Sequence, residues 1–419
     1  MRYLYKNKAF TGGSPLSLLE YCKIAKKNNV EVLAVGEVNR PPKQYIESDI
    51  EVINFPYFRT DKPIYNISLI IKYARLIKKV KPDLIHTTTV QNCIFHKVIE
   101  QIVNVPILYN IPGGNIPWFF SKIMKDKNIL VYSEENKRDL VDNGYKSSLV
   151  KVITNRMVFK DIKDIKDIND VSDTNDRFNN NNTLKFLLIS RLDKDKINSI
   201  KYVIRLIDKL YNEFKNIELK VIGGGSYEEE LNIIAQEVNE KNDDRIIHIL
   251  GHKNDVSKYI NESEIVFGKG RSVLEGIASK KLSFVVSEES KIFHCSIKNF
   301  NTLKYSNFTG RGVKEFTTYM EFVDLLKKRT SNKTFEDSKK LKEETILNYD
   351  IRYCENQILD YYEDLILNHE KKYQNDKSST LVKCFRAVST YVGIYYYIIS
   401  DKLRRSSIRS IETDTDKLK

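Results

Sequence analysis

Two successive series of short β-branched or aromatic runs, each run followed by a longer amphipathic stretch, constrain this chain more than any other feature. In the first series an opening strand at 2–6 is followed by apolar runs at 31–36, 83–88, 105–111, 128–133 and 149–154, which predict buried strands. Helical periodicity fills the intervals at 15–28, 66–81, 91–102 and 134–142, with Ser14-Pro15 and Ser133 placed as helix N-caps. Strands and helices in strict alternation imply a parallel sheet wrapped in helices. From 158 to 182 the pattern stops: Asp-Ile-Lys repeats and four consecutive asparagines bury little, so this is a low-complexity linker. The alternation then restarts, with strands expected at 184–190, 217–223, 245–250, 263–268 and 282–287 and helices at 197–214, 227–239, 254–261 and 273–280.

Composition agrees with two domains. The chain has 419 residues, of which 41% are hydrophobic, more than one small core can use. We therefore expect an α/β protein of two Rossmann-like doubly wound domains with a C-terminal helical extension. The expected divisions are an N-terminal domain at 1–157, the linker at 158–182, a C-terminal domain at 183–345, helices packing across both domains at 346–372, and a basic aromatic tail at 373–419. The balance of 69 basic against 56 acidic residues suits an anionic partner: a nucleic acid, a membrane surface or a phosphorylated substrate. No basic segment with interleaved aromatics belongs to a recognisable binding module, so nucleic acid is not expected. Cys22, Cys93, Cys295, Cys354 and Cys384 are scattered and form no CxxC pair, which fits reduced thiols and a cytoplasmic location. No run of about 18 apolar residues and no leader pattern is present, so neither a spanning helix nor secretion is expected.

In open parallel sheets, ligands gather at the carboxyl ends of the strands, here expected to line a shared cleft, so the chemistry belongs on strand-to-helix turns. The first is Thr11-Gly12-Gly13-Ser14-Pro15, where glycines let backbone approach a ligand and helix-terminal N–H groups favour an anion. A plain turn with a cap explains it equally well. The second, Ser190 to Lys196, projects Arg191 and Lys196 from one strand end toward a diphosphate, while Asp193 and Asp195 stand ready to neutralise them in a solvated loop. Those aspartates lack a third ligand, and no metal is expected. The third is Gly268 to Gly276, whose free N–H groups after Ser272 suit a phosphate and whose Glu275 suits the two hydroxyls of a ribose. Ser272 and Glu275 also have the spacing of a capping box, which needs no ligand. The fourth is the strand ending in Gly223, Gly224 and Gly225.

The order of these pieces resembles the GT-B glycosyltransferases, and among them retaining family 4 (group 1). The resemblance spans roughly residues 1–370. It rests on Gly12-Gly13, Lys81-Pro82-Asp83-Leu84-Ile85-His86, Val131-Tyr132-Ser133-Glu134 with Asn143-Gly144, and Val152-Ile153-Thr154-Asn155-Arg156. In the second half it rests on Ser190-Arg191-Leu192 with Lys196, Ile222 to Gly225, Leu250-Gly251-His252, and Val273-Leu274-Glu275-Gly276. It implies transfer of a sugar from a nucleotide-diphosphate donor, UDP-linked, to a glycan or lipid-linked acceptor with retention, in surface polysaccharide or glycoconjugate synthesis. Neither metal nor cofactor is implied. Arg191, Lys196 and Glu275 would be the catalytic set, with the two cations on the diphosphate and the carboxylate on the ribose. Gly12, Gly13, Gly224, Gly270, Arg271, Ser272, Val273 and Leu274 would hold the nucleotide sugar. Family members carry a second glutamate eight positions before the first. Phe267 stands there in this chain, and Arg271 is the candidate substitute. Two alternatives stay open: a noncatalytic GT-B subunit partnering another glycosyltransferase, and a GT-B-type nucleotide-sugar epimerase.

His86, at a strand end, is a candidate sugar or acceptor contact or a polar strand terminus; the other histidines have no metal-ligand spacing. No Gly-x-Ser-x-Gly elbow is present, which disfavours a serine hydrolase. Beyond the resemblance, Leu381, Phe385, Val388, Val392, Tyr396, Ile399 and Leu403 recur at helical spacing among Lys383, Arg386, Lys402, Arg404, Arg405 and Arg409. Residues 381–409 are thus a candidate peripheral contact with the inner face of the membrane, or a helix that packs on the protein or a partner.

Overall fold

The computed structural model describes residues 1–10, 13–39, 42–113, 116–159, 183–253, 255–329, 331–373 and 378–416, with backbone alone from Arg405 onward. The chain divides into two units, Met1–Met157 with Ile351–Lys419, and Val158–Asp350. The linker expected at 158–182 lies outside the described residues except for Val158 and Phe159.

The first unit is built on β1 (Arg2–Ala9), β2 (Glu31–Glu37), β3 (Glu51–Asn54), β4 (Leu84–Thr88), β5 (Ile107–Ile111), β6 (Ile129–Val131) and β7 (Val150–Val152). All pairs are parallel, in the order β3-β2-β1-β4-β5-β6-β7. Helices α1 (Gly13–Lys27), α2 (Lys43–Glu47), α3 (Pro63–Val80), α4 (Val90–Ile99), α5 (Phe120–Met124) and α6 (Glu134–Asp142) supply the crossovers. Every residue of β4 and β5 is buried, as expected of strands covered on both faces. Ser133 caps α6, its hydroxyl accepting the Asn136 N–H at 3.2 Å. Ser14 does not cap α1. It lies inside the helix, which opens at Gly13, and its buried hydroxyl has no partner among the described residues.

The second unit repeats the plan with β8 (Leu184–Ile189), β9 (Ile217–Ile222), β10 (Ile247–Ile249), β11 (Ile265–Gly268), β12 (Leu282–Val286) and the antiparallel edge strand β13 (Ile292–His294). Their order is β10-β9-β8-β11-β12-β13. Its helices are α7 (Ile197–Leu210), α8 (Glu228–Asn242), α9 (Ser257–Glu262), α10 (Arg271–Ala278), α11 (Phe300–Tyr305), α12 (Tyr319–Lys327) and α13 (Asn332–Tyr349). Helix α7 turns Ile200, Val203, Ile204 and Ile207 to the sheet at i, i+3, i+4 and i+7, which is why this stretch folds as a helix and docks there.

The two last helices, α14 (Glu355–Tyr373) and α15 (Thr380–Asp416), belong to the first unit. The helices expected at 346–372 are thus α14 and the end of α13, and from Ile351 onward they are part of the first unit's own fold. The Ile351 N–H donates to the Met157 carbonyl at 2.8 Å, and Tyr362 of α14 is wholly buried against Tyr3 and His86.

Candidate functional site

Each sheet reverses its strand order once, between β1 and β4 in the first unit and between β8 and β11 in the second. Loops leaving the carboxyl ends of two such strands diverge and open a crevice. In the second unit those loops are Ser190–Lys196 after β8 and Lys269-Gly270 after β11, two of the turns singled out from sequence.

The glycines hold these loops close together. A Cβ at Gly223 would lie 1.7 Å from the Ser190 carbonyl oxygen, and one at Gly225 would lie 2.3 Å from that of Leu192. No side chain fits at either position, so the run after β9 seats the Arg191 loop by backbone contact. A Cβ at Gly224, between them, would lie 3.3 Å from the His252 Cβ, a tight contact but a far looser one than its neighbours'. Gly270 adopts φ +54°, a conformation costly for other residues, and turns the chain into α10.

Two lysines converge at the crevice. Lys196 Nζ lies 2.5 Å and Lys269 Nζ 3.5 Å from the same oxygen, Oε1 of Glu288, and Lys196 also pairs with Asp195 at 3.0 Å. Burial first, then the Lys196 charge, pulls the Lys269 ammonium down to about 8, while the Lys196 hydrogen bond holds the Glu288 carboxyl below its ordinary range. Arg191 is more exposed and is held by Asp193 at 2.7 Å and Asp195 at 3.3 Å, the neutralising arrangement foreseen for this loop. Both aspartates are thereby engaged as counterions.

The capping box expected from Ser272 and Glu275 does not form. Helix α10 starts two residues early, at Arg271, with Gly270 as its N-cap. The Ser272 hydroxyl accepts the Lys269 N–H at 3.1 Å, bracing the loop. Glu275 is pulled along the helix to Arg271, whose Nε donates to Oε1 at 3.0 Å, while the buried Arg271 Nη1 has no partner among the described residues. Val273 and Leu274 are fully buried, so their side chains serve the core. The Leu274 N–H donates to the Gly270 carbonyl at 3.1 Å, so of the residues expected at a nucleotide only Arg271, Ser272 and Val273 present N–H groups unclaimed by the helix.

Phe267 is likewise a core residue. It lies on β11 with its ring centroid 6.2 Å from Phe186, 5.5 Å from Phe284 and 6.0 Å from Phe322. A carboxylate there would enter an aromatic core rather than a ligand crevice. Sequence reasoning missed Lys269 and Glu288. The available signal was position: both follow the ends of adjacent parallel strands, β11 and β12.

In the first unit, Lys6 of β1, His86 of β4 and Asn110 of β5 are buried. Gly12 lies outside the described residues, and Gly13 opens α1 with nothing within 4 Å of where a Cβ would sit. His86 does not face an opening. It is wholly buried, its Nδ1 2.8 Å from the Tyr362 hydroxyl and its Nε2 3.1 Å from Asn110 Nδ2. An amide N–H can only donate, so Nε2 accepts and Nδ1–H donates to Tyr362, which fixes a neutral imidazole. Burial pushes it down to about 3. Lys6, equally buried, lies over the Phe55 and Tyr73 rings and donates to the Asn7 carbonyl, with burial lowering its ammonium to about 7. Asn110 Nδ2 also donates to the Tyr132 hydroxyl at 2.8 Å, while the buried Asn110 Oδ1 has no partner among the described residues.

With that geometry in place, the relatives can be set beside it. Residues 10–123 match the glycosyl transferase 4-like family. A glycosyltransferase from Rickettsia africae superposes with a TM-score of 0.66 at 16% identity, covering 87% of this chain and 98% of that one. HepE from Anabaena, in complex with UDP-glucose, gives 0.63 at 13% identity over 87% of this chain and 100% of that one. Sucrose-phosphate synthase from Thermosynechococcus elongatus gives 0.63 at 12% over 88% and 99%. The chain has a GT-B glycosyltransferase fold. No curated protein sequence matches it. In GT-B terms, the 10–123 match falls on the first unit, and the lysine crevice is in the second.

Proposed function

We propose that the protein is a metal-independent, retaining hexosyltransferase that takes its sugar from a UDP-linked donor. The acceptor is a glycan or a lipid-linked glycan in surface polysaccharide or glycoconjugate synthesis, and the protein works at the inner face of the membrane. The observation that carries this reading is the convergence of Lys196 and Lys269 on one carboxylate oxygen at the second unit's strand reversal. Two ammonium groups aimed at a single oxygen, beside loops packed through glycine, suit a diphosphate that would displace Glu288. Arg191, on the same loop as Lys196 and sharing Asp195 with it, adds a forked contact.

In the reaction the bond from the anomeric carbon to the diphosphate oxygen breaks and a bond to the acceptor oxygen forms. The bonding pair leaves with the nucleoside diphosphate, whose departing oxygen takes up the proton that the acceptor hydroxyl loses. Charge grows on that leaving group, and Lys196, Lys269, Arg191 and the first N–H groups of α10 are fixed donors that stabilise it without reorganising. Glu275, on leaving Arg271, accepts the ribose hydroxyls.

The test is consumption of a panel of nucleotide sugars in EDTA by the native protein, Lys196→Ala and Glu275→Ala. One donor consumed, with most activity lost in both variants, is the expected result. An isomerised nucleotide sugar would make the protein an epimerase. No consumption and no nucleoside diphosphate binding would leave a noncatalytic subunit.

A further inference from the structure

Helix α15 is docked along one side only. Ala387, Ile394 and Ile398 are buried in the first unit's core. The Tyr391 hydroxyl donates to the Pro63 carbonyl at 2.5 Å, Asn66 Nδ2 donates to the Tyr395 hydroxyl at 2.7 Å, and Trp118 Nε1 donates to Asp401 at 3.0 Å. The side turned away is apolar too. Phe385, Val388, Val392, Tyr396, Ile399 and Leu403 recur at intervals of three and four residues and are all exposed, Phe385 by 74% and Tyr396 by 67%. With Leu381 the stripe runs for 23 residues of helix, roughly 34 Å. Burying the docked side would have sufficed to fold the helix, so the second apolar stripe needs another explanation.

Charge identifies the occupant. Between Thr380 and Arg405 there are five basic residues and one acid, and that acid, Asp401, bonds Trp118. On a helical wheel Lys402 flanks the stripe on one edge and Arg386 and Arg404 flank it on the other, all three exposed. A second copy of the stretch 380–405 would bring the same cations with one acid, Asp401, which already bonds Trp118. Helix α3, which starts at the Pro63 that Tyr391 holds, adds exposed Ile64, Ile67 and Ile71 followed by exposed Lys72, Arg75 and Lys78. Among the described residues no helix is long and apolar enough to cross a membrane.

We infer that the outer stripe of α15, with the adjoining start of α3, is a docking face for the surface of an anionic lipid bilayer. The apolar side chains enter the acyl boundary, and the flanking lysines and arginines reach the headgroups. This deepens the inner-face placement proposed above and is independent of the donor chemistry, which is read separately as nucleotide-sugar consumption in vesicle-free buffer.

The structure supplies its own probe. Cys384 is the exposed cysteine beside the stripe, and Cys22, Cys93, Cys295 and Cys354 are buried. The full chain, carrying an environment-sensitive fluorophore on Cys384, is mixed with phosphatidylcholine vesicles with and without about 30% phosphatidylglycerol. The expected result is a blue shift and co-sedimentation with the anionic vesicles, weakened by added salt. Phe385→Ser/Val392→Ser/Ile399→Ser should lower the bound fraction by roughly tenfold or more. Arg386→Glu/Arg404→Glu should abolish the preference for anionic lipid. No shift in the unmutated chain with either vesicle, or a dimer of the native chain that the triple variant turns into monomer without vesicle binding, would overturn the proposal. Because the shift in the unmutated chain is read first, a misfolded variant cannot decide the outcome.

Discussion

The two strand reversals of this protein have the same topology and opposite contents. At the first, His86, Asn110, Tyr132 and Tyr362 are buried and linked by hydrogen bonds through His86 and Asn110, and buried Lys6 donates to the neighbouring Asn7 carbonyl. At the second, Lys196, Lys269, Arg191 and Glu288 retain side-chain exposures between 18% and 58%, and their charges are matched loosely enough for a ligand to exchange. Topology opens a crevice, and side chains decide whether it is filled. A buried polar network pays its desolvation once, on folding, whereas a partly solvated ion cluster can trade a carboxylate for a phosphate at small cost.

Five experiments bear on that contrast. The largest effect is expected where the second unit's core meets its crevice. Phe267→Ala should cost about 4 kcal/mol of stability by urea denaturation, as truncation of a buried phenylalanine does, and a loss below about 1 kcal/mol would mean Phe267 is not core. Next, Lys196→Ala should cost about 3 kcal/mol, near a hundredfold, in kcat/KM for the donor, the upper range for a hydrogen bond to a charged group. His86→Gln should leave donor turnover per folded molecule within about twofold, because His86 serves the fold alone; a loss matching that of Lys196→Ala would erase the distinction between the two crevices.

Acid should separate the units by stability. His86 and His96 are both pushed down to about 3 by burial, against one such group, His294, at about 4 in the second unit. Folded values below the ordinary 6.5 mean that the unfolded chain binds more protons in between, so stability is full above pH 6.5 and drains as pH falls. Each histidine costs about 2 kcal/mol between pH 6.5 and 5. Hydrogen exchange should therefore show the first unit opening sooner on acidification, and equal loss in both units would contradict the buried neutral network. The smallest effect concerns Lys269. Its ammonium discharges as pH rises through about 8, so donor KM should climb a few-fold above that pH, and Lys269→Arg should flatten the rise. A profile unchanged by the substitution would remove Lys269 from the site.

Much of the architecture was written in local pattern. Strands such as Leu184–Ile189 and Ile265–Gly268 fall inside the runs that β-branched and apolar residues mark, because a strand buried on both faces has little choice of composition. The glycines at 223 and 225 were legible as a turn, although only their 1.7 Å and 2.3 Å approaches reveal that they seat the Arg191 loop. Edge strands β3 and β13 carry no such signal: they are four and three residues long, too short to show a period. The capping box at Ser272 and Glu275 failed for a similar reason: the spacing was present, but Arg271 offered Glu275 a charge-assisted bond one helical turn away.

By itself, the sequence determined the two doubly wound sheets, the interruption between them, and the loops that carry arginine, lysine and glycine at strand ends. These features depend on residues near one another in the chain, where periodicity and turn chemistry act. Tertiary structure alone decided that His86 is closed in by Tyr362, 276 positions away, and that Glu288 joins Lys196 across 92. It also decided which of the two apolar sides of α15 is docked. Such choices turn on which surfaces meet after the chain has folded back, and no local pattern encodes the partner that removes a side chain from water.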